Sequence, residues 1–118
     1  MAHSILLVDD DPHIRDVVRF AFEKTGMTIS IAQDGKEALA RFDRNVHDLI
    51  VLDIGMPEMD GYEVARRIRS RTADRHPRLI ALTGWGQRSD YGHSQAAGFD
   101  HHLVKPPDIA RLCEYLAS

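Results

Sequence analysis

The chain has 118 residues, a length suited to one domain spanning 1–118 around one core, and its 43% hydrophobic and 28% charged residues are the balance of an ordinary globular protein. A net charge of −3, with no cluster of Lys and Arg apart from acids, argues against direct nucleic-acid binding. No apolar run approaches the ~20 residues of a bilayer span, the start Met1-Ala2-His3-Ser4 does not read as a signal peptide, and the single cysteine, Cys113, excludes an intrachain disulfide and fits a cytoplasmic setting.

Ser4-Ile5-Leu6-Leu7-Val8 reads as a short apolar strand that ends on Asp9-Asp10-Asp11. Pro12 suits the first position of a helix, with Asp11 as its N-cap. Ile14, Val17, Val18, Ala21 and Phe22 make an apolar stripe at helical period, and Gly26 ends that helix. Met27 to Ala32 alternates around Ile29 and Ile31 as a second strand, nearer an edge. Asp34-Gly35 starts a second helix carried by Ala38, Leu39 and Phe42, and Asn45-Val46-His47-Asp48 turns the chain into Leu49-Ile50-Val51-Leu52-Asp53. That unbroken apolar run predicts a strand buried on both faces.

After a loop from Ile54 to Asp60, Gly61 opens a third helix with Val64, Ala65 and Ile68 inward. The basic segment Arg66-Arg67-Ile68-Arg69-Ser70-Arg71 reads as its solvated face and last turn, where cations suit the dipole. Leu79-Ile80-Ala81-Leu82 predicts a fourth buried strand ending on Thr83, followed by the flexible loop Gly84-Trp85-Gly86. Gln87 to Ala97 predicts a helix with a thin apolar face, hence low local stability and motion. Phe99 to Val104 predicts a fifth strand running into Lys105-Pro106-Pro107, and Ile109, Leu112, Cys113 and Leu116 a last helix, with Cys113 a small apolar core residue.

Repeated strand-then-helix units imply an α/β fold. Right-handed crossovers give a five-stranded parallel sheet with helices on both faces, in the flavodoxin-like order 2-1-3-4-5. The C-terminal ends of its strands then share one edge, where Asp9, Asp10, Asp53, Thr83 and Lys105 converge. Each residue alone reads as a cap, a turn former or a solvated side chain; their coincidence is the signal. Three close carboxylates repel unless a cation neutralises them, and a few hard oxygen ligands with room for water suit Mg2+, or the similar Mn2+. Lys105 adds a fixed cation. A carboxylate can act as nucleophile toward a phosphoryl group, and phosphoryl transfer needs mainly positioning and charge neutralisation.

Leu7-Val8-Asp9-Asp10-Asp11, Leu52-Asp53-Ile54-Gly55-Met56-Pro57-Glu58-Met59-Asp60-Gly61, Ala81-Leu82-Thr83-Gly84 and Lys105-Pro106 together resemble the receiver domain of two-component response regulators, over essentially the whole chain. Ala81-Leu82-Thr83-Gly84-Trp85-Gly86-Gln87 is most similar to receivers of hybrid sensor kinases and their stand-alone relatives. The resemblance implies a signalling switch rather than an enzyme, with kinase activity only if the chain is a fragment of a hybrid histidine kinase. Asp53 is then the phosphoacceptor from a phosphohistidine of a histidine kinase or phosphotransfer protein, and an unidentified protein lies downstream of a monomer or weak dimer. Asp10, Asp53 and the Gly55 backbone carbonyl would bind the metal, Asp9 would act through a metal-bound water, Thr83 would bond the phosphoryl oxygens and Lys105 would pair with them. The bond between Lys105 and Pro106 would be cis.

The sequence departs from the family at three positions. His102 stands where Tyr or Phe is usual, three residues before Lys105. Two readings stand: a switch residue that turns inward and titrates near neutral pH, or a surface residue with the readout carried by loop movement. Gly55 offers no side chain to orient an attacking water, and Trp85 could cover the phosphoryl group, so slow self-dephosphorylation and a Trp85 fluorescence response to Mg2+ are expected. His101 and His102 are neighbours on a strand and make a poor chelate. Two other classes compete. An aspartyl-nucleophile phosphatase needs a second acid where Gly55 stands, and a flavin-binding module needs a Ser/Thr/Gly-rich phosphate loop where Asp9-Asp10-Asp11 stands.

Overall fold

The strands form because each is a short apolar run that can be covered on both faces, and a computed structural model shows how they pair. It describes residues 4–44, 47–56, 61–71, 77–84, 96–105, 108, 110–111 and 114. The elements are β1 (Ser4–Val8), α1 (Pro12–Glu23), β2 (Thr28–Ala32), α2 (Gly35–Arg44), β3 (Leu49–Asp53), α3 (Gly61–Ser70), β4 (Arg78–Thr83) and β5 (His101–Val104). All four strand pairings are parallel, and the sheet order is β2-β1-β3-β4-β5, as the repeat pattern requires. Helical residues also occur at 96–97 and at 110, 111 and 114, where Asp108 Oδ1 accepts from the Ala110 amide at 2.9 Å. The expectations for Trp85, for most of 87–97, for the cis bond at Pro106 and for Cys113 lie outside the described residues.

Alternation along the strands divides the core in two. Leu6, Val8, Ile50, Leu52, Leu79 and Ala81 pack with Ala38 and Leu39 of α2 and Val64, Ala65 and Ile68 of α3. Ile5, Leu7, Leu49, Val51, Ile80, Leu82 and Leu103 pack with Ile14, Val18 and Phe22 of α1. Every residue of β3 is buried, as expected of a central strand covered on both sides. Each fully buried large side chain contributes roughly 1.5–3 kcal/mol.

The helix boundaries follow local chemistry. Asp11 caps α1 through its carboxylate, which accepts from the His13 amide at 2.9 Å, with Pro12 just inside the helix. Asp34 does the same for α2 through the Glu37 amide at 2.8 Å. Beyond the end of α1, Gly26 has φ +80°, a left-handed conformation that favours glycine. Three expectations are corrected. Val17 is 39% exposed, because the i, i+4, i+8 line of Ile14, Val18 and Phe22 alone faces the sheet. Met27 precedes β2 rather than opening it. Phe99 and Asp100 precede β5, because the Asp100 carboxylate accepts from the Leu79 amide at 2.9 Å and takes a place in the hydrogen-bonding that a further ladder rung would have used. Among the described residues no helix is long and apolar enough to cross a membrane.

Candidate functional site

Strand register builds the site. Val8 pairs with Leu52, Asp53 with Leu82, and Thr83 with Val104. One residue beyond Val8, Leu52, Leu82 and Val104 stand Asp9, Asp53, Thr83 and Lys105, so four neighbouring strands deliver these groups to one edge of the sheet. Asp10 follows on the exposed side. Carboxylate oxygens of Asp9, Asp10 and Asp53 lie within 4.8 Å of one another, the only such group of potential metal ligands among the described residues.

Lys105 ties the cluster together. Its Nζ donates to Asp53 Oδ2 at 3.0 Å and to Asp9 Oδ1 at 3.3 Å. It also stands 3.1 Å from Asp9 Oδ2, but that oxygen is buried and has no aligned hydrogen-bond donor among the described residues. The Asp11 amide donates to Asp9 Oδ1 and the Gly55 amide to Asp53 Oδ1, both at 2.9 Å. Asp9 and Asp53 are 0% and 3% exposed, so these bonds carry the whole task of replacing water.

Burial and neighbouring charge both act on the cluster. Burial pushes the Asp9 carboxyl up to about 6, and the Asp53 charge adds to the rise, against the lowering effects of the Asp11 amide and Lys105. Burial alone would lower the Lys105 ammonium, but its bonds to Asp53 and Asp9 outweigh that and its pKa is raised. Among the described residues, three carboxylates thus face one ammonium, and one buried carboxylate oxygen, in ion-pair range of that ammonium, lacks a hydrogen-bond donor. A small divalent cation that prefers oxygen fits this donor set.

Thr83 is buried beside the cluster in sequence register, with its hydroxyl donating to the Leu103 carbonyl at a long 3.4 Å. The Lys105 amide donates to the Thr83 carbonyl at 2.7 Å, which anchors the residue after β5 to the end of β4. His102 is half-buried, and burial pushes its pKa below the ordinary value. Its ring lies 6.4 Å from that of Phe99, which meets Tyr62 edge-on at 6.1 Å.

Two contacts had no sequence signal. A Cβ on Gly61 would lie 2.7 Å from the Asp53 carbonyl oxygen and 2.8 Å from Ile54 Cα, so glycine lets α3 close onto the end of β3. Arg69, near the other end of α3, donates to the Gly98 and Pro77 carbonyls at 3.0 and 2.8 Å and to the Asp100 carboxylate at 2.8 Å. It fastens α3 to the starts of β4 and β5. The Gly55 amide also takes part, where only its carbonyl had been expected to.

A family model described as the response regulator receiver domain matches residues 5–117. The chain belongs to the response regulator receiver family. Among its relatives, the response regulator MprA of Mycobacterium sp. (strain KMS) is 42% identical over 112 residues, which cover 95% of this chain and 48% of that protein. An uncharacterized 14.6 kDa protein of Leptolyngbya boryana, from the sodA1 3' region, is 40% identical over 92% of this chain and 83% of its own length. The receiver thus spans most of that protein but about half of MprA. Among solved structures, the chemotaxis protein CheY4 of Vibrio cholerae is 28% identical with a TM-score of 0.87, covering 99% of this chain and 98% of that one. The signal receiver domain of a histidine kinase from Syntrophus aciditrophicus is 30% identical with a TM-score of 0.84, covering 98% and 88%. This is a signalling domain of two-component systems; the phosphatase and flavin readings find no support among these relatives.

Proposed function

We propose that Asp53 is the phosphoacceptor of this receiver, taking a phosphoryl group from a phosphohistidine of a histidine kinase or phosphotransfer protein in the cytoplasm. The observation that carries the reading is the Asp53 carboxylate, 3% exposed at the end of β3 and oriented by Gly55 N–H on one oxygen and Lys105 Nζ on the other. An oxygen of Asp53 attacks phosphorus in line with the P–N bond. The acyl phosphate P–O bond forms as the P–N bond breaks, and its electron pair leaves with the imidazole, which takes a proton from solvent. Lys105 is already placed to pair with the incoming phosphoryl oxygens. Thr83 releases its weak bond to Leu103 and donates to them instead.

Asp10, Asp53 and the Gly55 carbonyl would hold Mg2+ directly and Asp9 through a water; the buried Asp9 oxygen without a hydrogen-bond donor among the described residues and the close carboxylates support this. When bound, Mg2+ neutralises the carboxylates and the transferred phosphoryl group. Trp85, two residues after Thr83, rims the pocket in this reading, and His102, packed on Phe99, passes the change along β5 to an unidentified downstream protein.

Incubation with a small phosphodonor and Mg2+ adds the mass of one phosphoryl group, and Asp53→Asn adds none. Phosphorylation of the Asp53→Asn protein to the same extent overturns the assignment. With beryllofluoride in place of the donor, unchanged Trp85 emission would remove Trp85 from the rim. If His102→Tyr leaves the induced change the same at pH 6 and pH 8, His102 is not a pH-sensitive relay.

A further inference from the structure

At the opposite edge of the sheet, where β3 begins, His47 is 3% exposed and neither ring nitrogen has a hydrogen-bond partner among the described residues. A neutral imidazole always carries one N–H donor and one lone pair, so both lack a partner among the described residues. An imidazolium would carry two unpaired donors and a buried charge. Two charges act on the ring: Asp48 beside it in the chain favours protonation, and Arg41 from α2 opposes it. From the neighbouring strands, β1 brings uncharged Ser4 to this edge, and β4 brings Arg78, whose charge acts on His101. The Asp48 carboxylate is exposed and already accepts from the Ser4 amide at 2.7 Å.

Asp48 is also where three strands are fastened together. Its amide donates to the Ser4 carbonyl at 2.8 Å, and its carbonyl accepts from the Arg78 amide at 3.2 Å. A ring that must reach water to take up a proton pulls on the residue that holds β1 and β4 to the start of β3.

We propose that His47 is an acid-sensitive latch: its protonation expels the ring from the core and opens the β1–β3–β4 edge around Asp48, at the end of the sheet remote from Asp53. Burial lowers the His47 pKa, in accord with this geometry. The opened form therefore binds the proton more tightly than the closed form, and closure weakens as pH falls below the ordinary histidine value.

Hydrogen exchange on the intact receiver tests the latch, with rates corrected for the intrinsic effect of pH. Between pH 7.5 and pH 5.5 the Asp48 and Arg78 amides of the wild type are expected to lose at least tenfold protection, while the amides of α1 keep theirs. His47→Phe abolishes this local loss. His47→Gln, which stays polar without titrating, does the same if the Phe variant folds poorly. An NMR titration of the wild-type ring needs no variant: a depressed pKa is expected. Titration at the ordinary histidine value, unchanged protection of the two amides, or an equal loss in the His47→Gln protein each overturns the proposal.

Discussion

At Asp9 the chemistry of the cluster acts against the stability of the fold, because its carboxyl is buried. Its pKa is raised from 3.8 to about 6, so the folded protein holds this proton more tightly than the unfolded chain does. That contribution to stability is fully present below pH 3.8 and is lost as pH rises through about 6. Asp9→Asn is therefore expected to stabilise the metal-free protein at pH 7 by about 1–3 kcal/mol, the lower end reflecting its weakened bond to Lys105. Urea unfolding at pH 7 and pH 4.5 measures this; a variant less stable than wild type at pH 7 contradicts it. The carboxylate was legible in the sequence from its place after an apolar run. Its burial was not, because Asp9 and Asp10 look alike until the strand's course puts one inside and the other in water.

At the scale of elements, α3 joins the site to the far edge of the sheet. Its first residue, Gly61, rests on the Asp53 carbonyl, and Arg69 binds Asp100, Gly98 and Pro77. Gly98 is locked into this arrangement by a left-handed φ of +107° and by the Arg69 side chain packed where a Cβ would stand. Gly61→Ala forces α3 away from the end of β3. It is expected to destabilise the fold by about 1–3 kcal/mol, as overpacking does, and to slow phosphorylation from a small donor by shifting the Asp53 backbone. Denaturant melts and the phosphorylation rate check this, and a variant with wild-type values for both shows that the contact is not rigid. Gly61 was readable as a helix start and Arg69 as part of a solvated basic face. Arg66 and Arg67 do lie on that face, paired with Glu63 at 2.9 and 3.0 Å. Arg69 lies inward instead, with its guanidinium on a partly buried carboxylate. Helical periodicity told the faces apart only coarsely, because a long cationic side chain can lie along apolar surface and reach a distant partner.

Taken whole, the described sheet gathers three carboxylates and one ammonium at one edge, so its stability is expected to depend on a divalent cation. Mg2+ at a hundredfold excess over its dissociation constant adds about 2.7 kcal/mol, or roughly 10 °C in Tm for a domain of this size. Asp10→Ala, which removes an exposed carboxylate and no core packing, is expected to lose most of that rise. Thermal melts across a Mg2+ titration measure both, and an equal rise in the variant shows that the ion acts elsewhere. The sequence by itself determined the order of strands and helices, the parallel topology and the set of residues that end each strand. These follow from side-chain alternation, helical period and the handedness of crossovers, which are local or topological. Only the tertiary structure decided that Lys105 bridges Asp9 and Asp53, that Gly61 touches the acceptor strand, that Arg69 clamps two strands and that His47 is buried without a hydrogen-bond partner among the described residues. Those are distances between residues far apart in the chain, set by strand register and helix docking, and no local pattern encodes them.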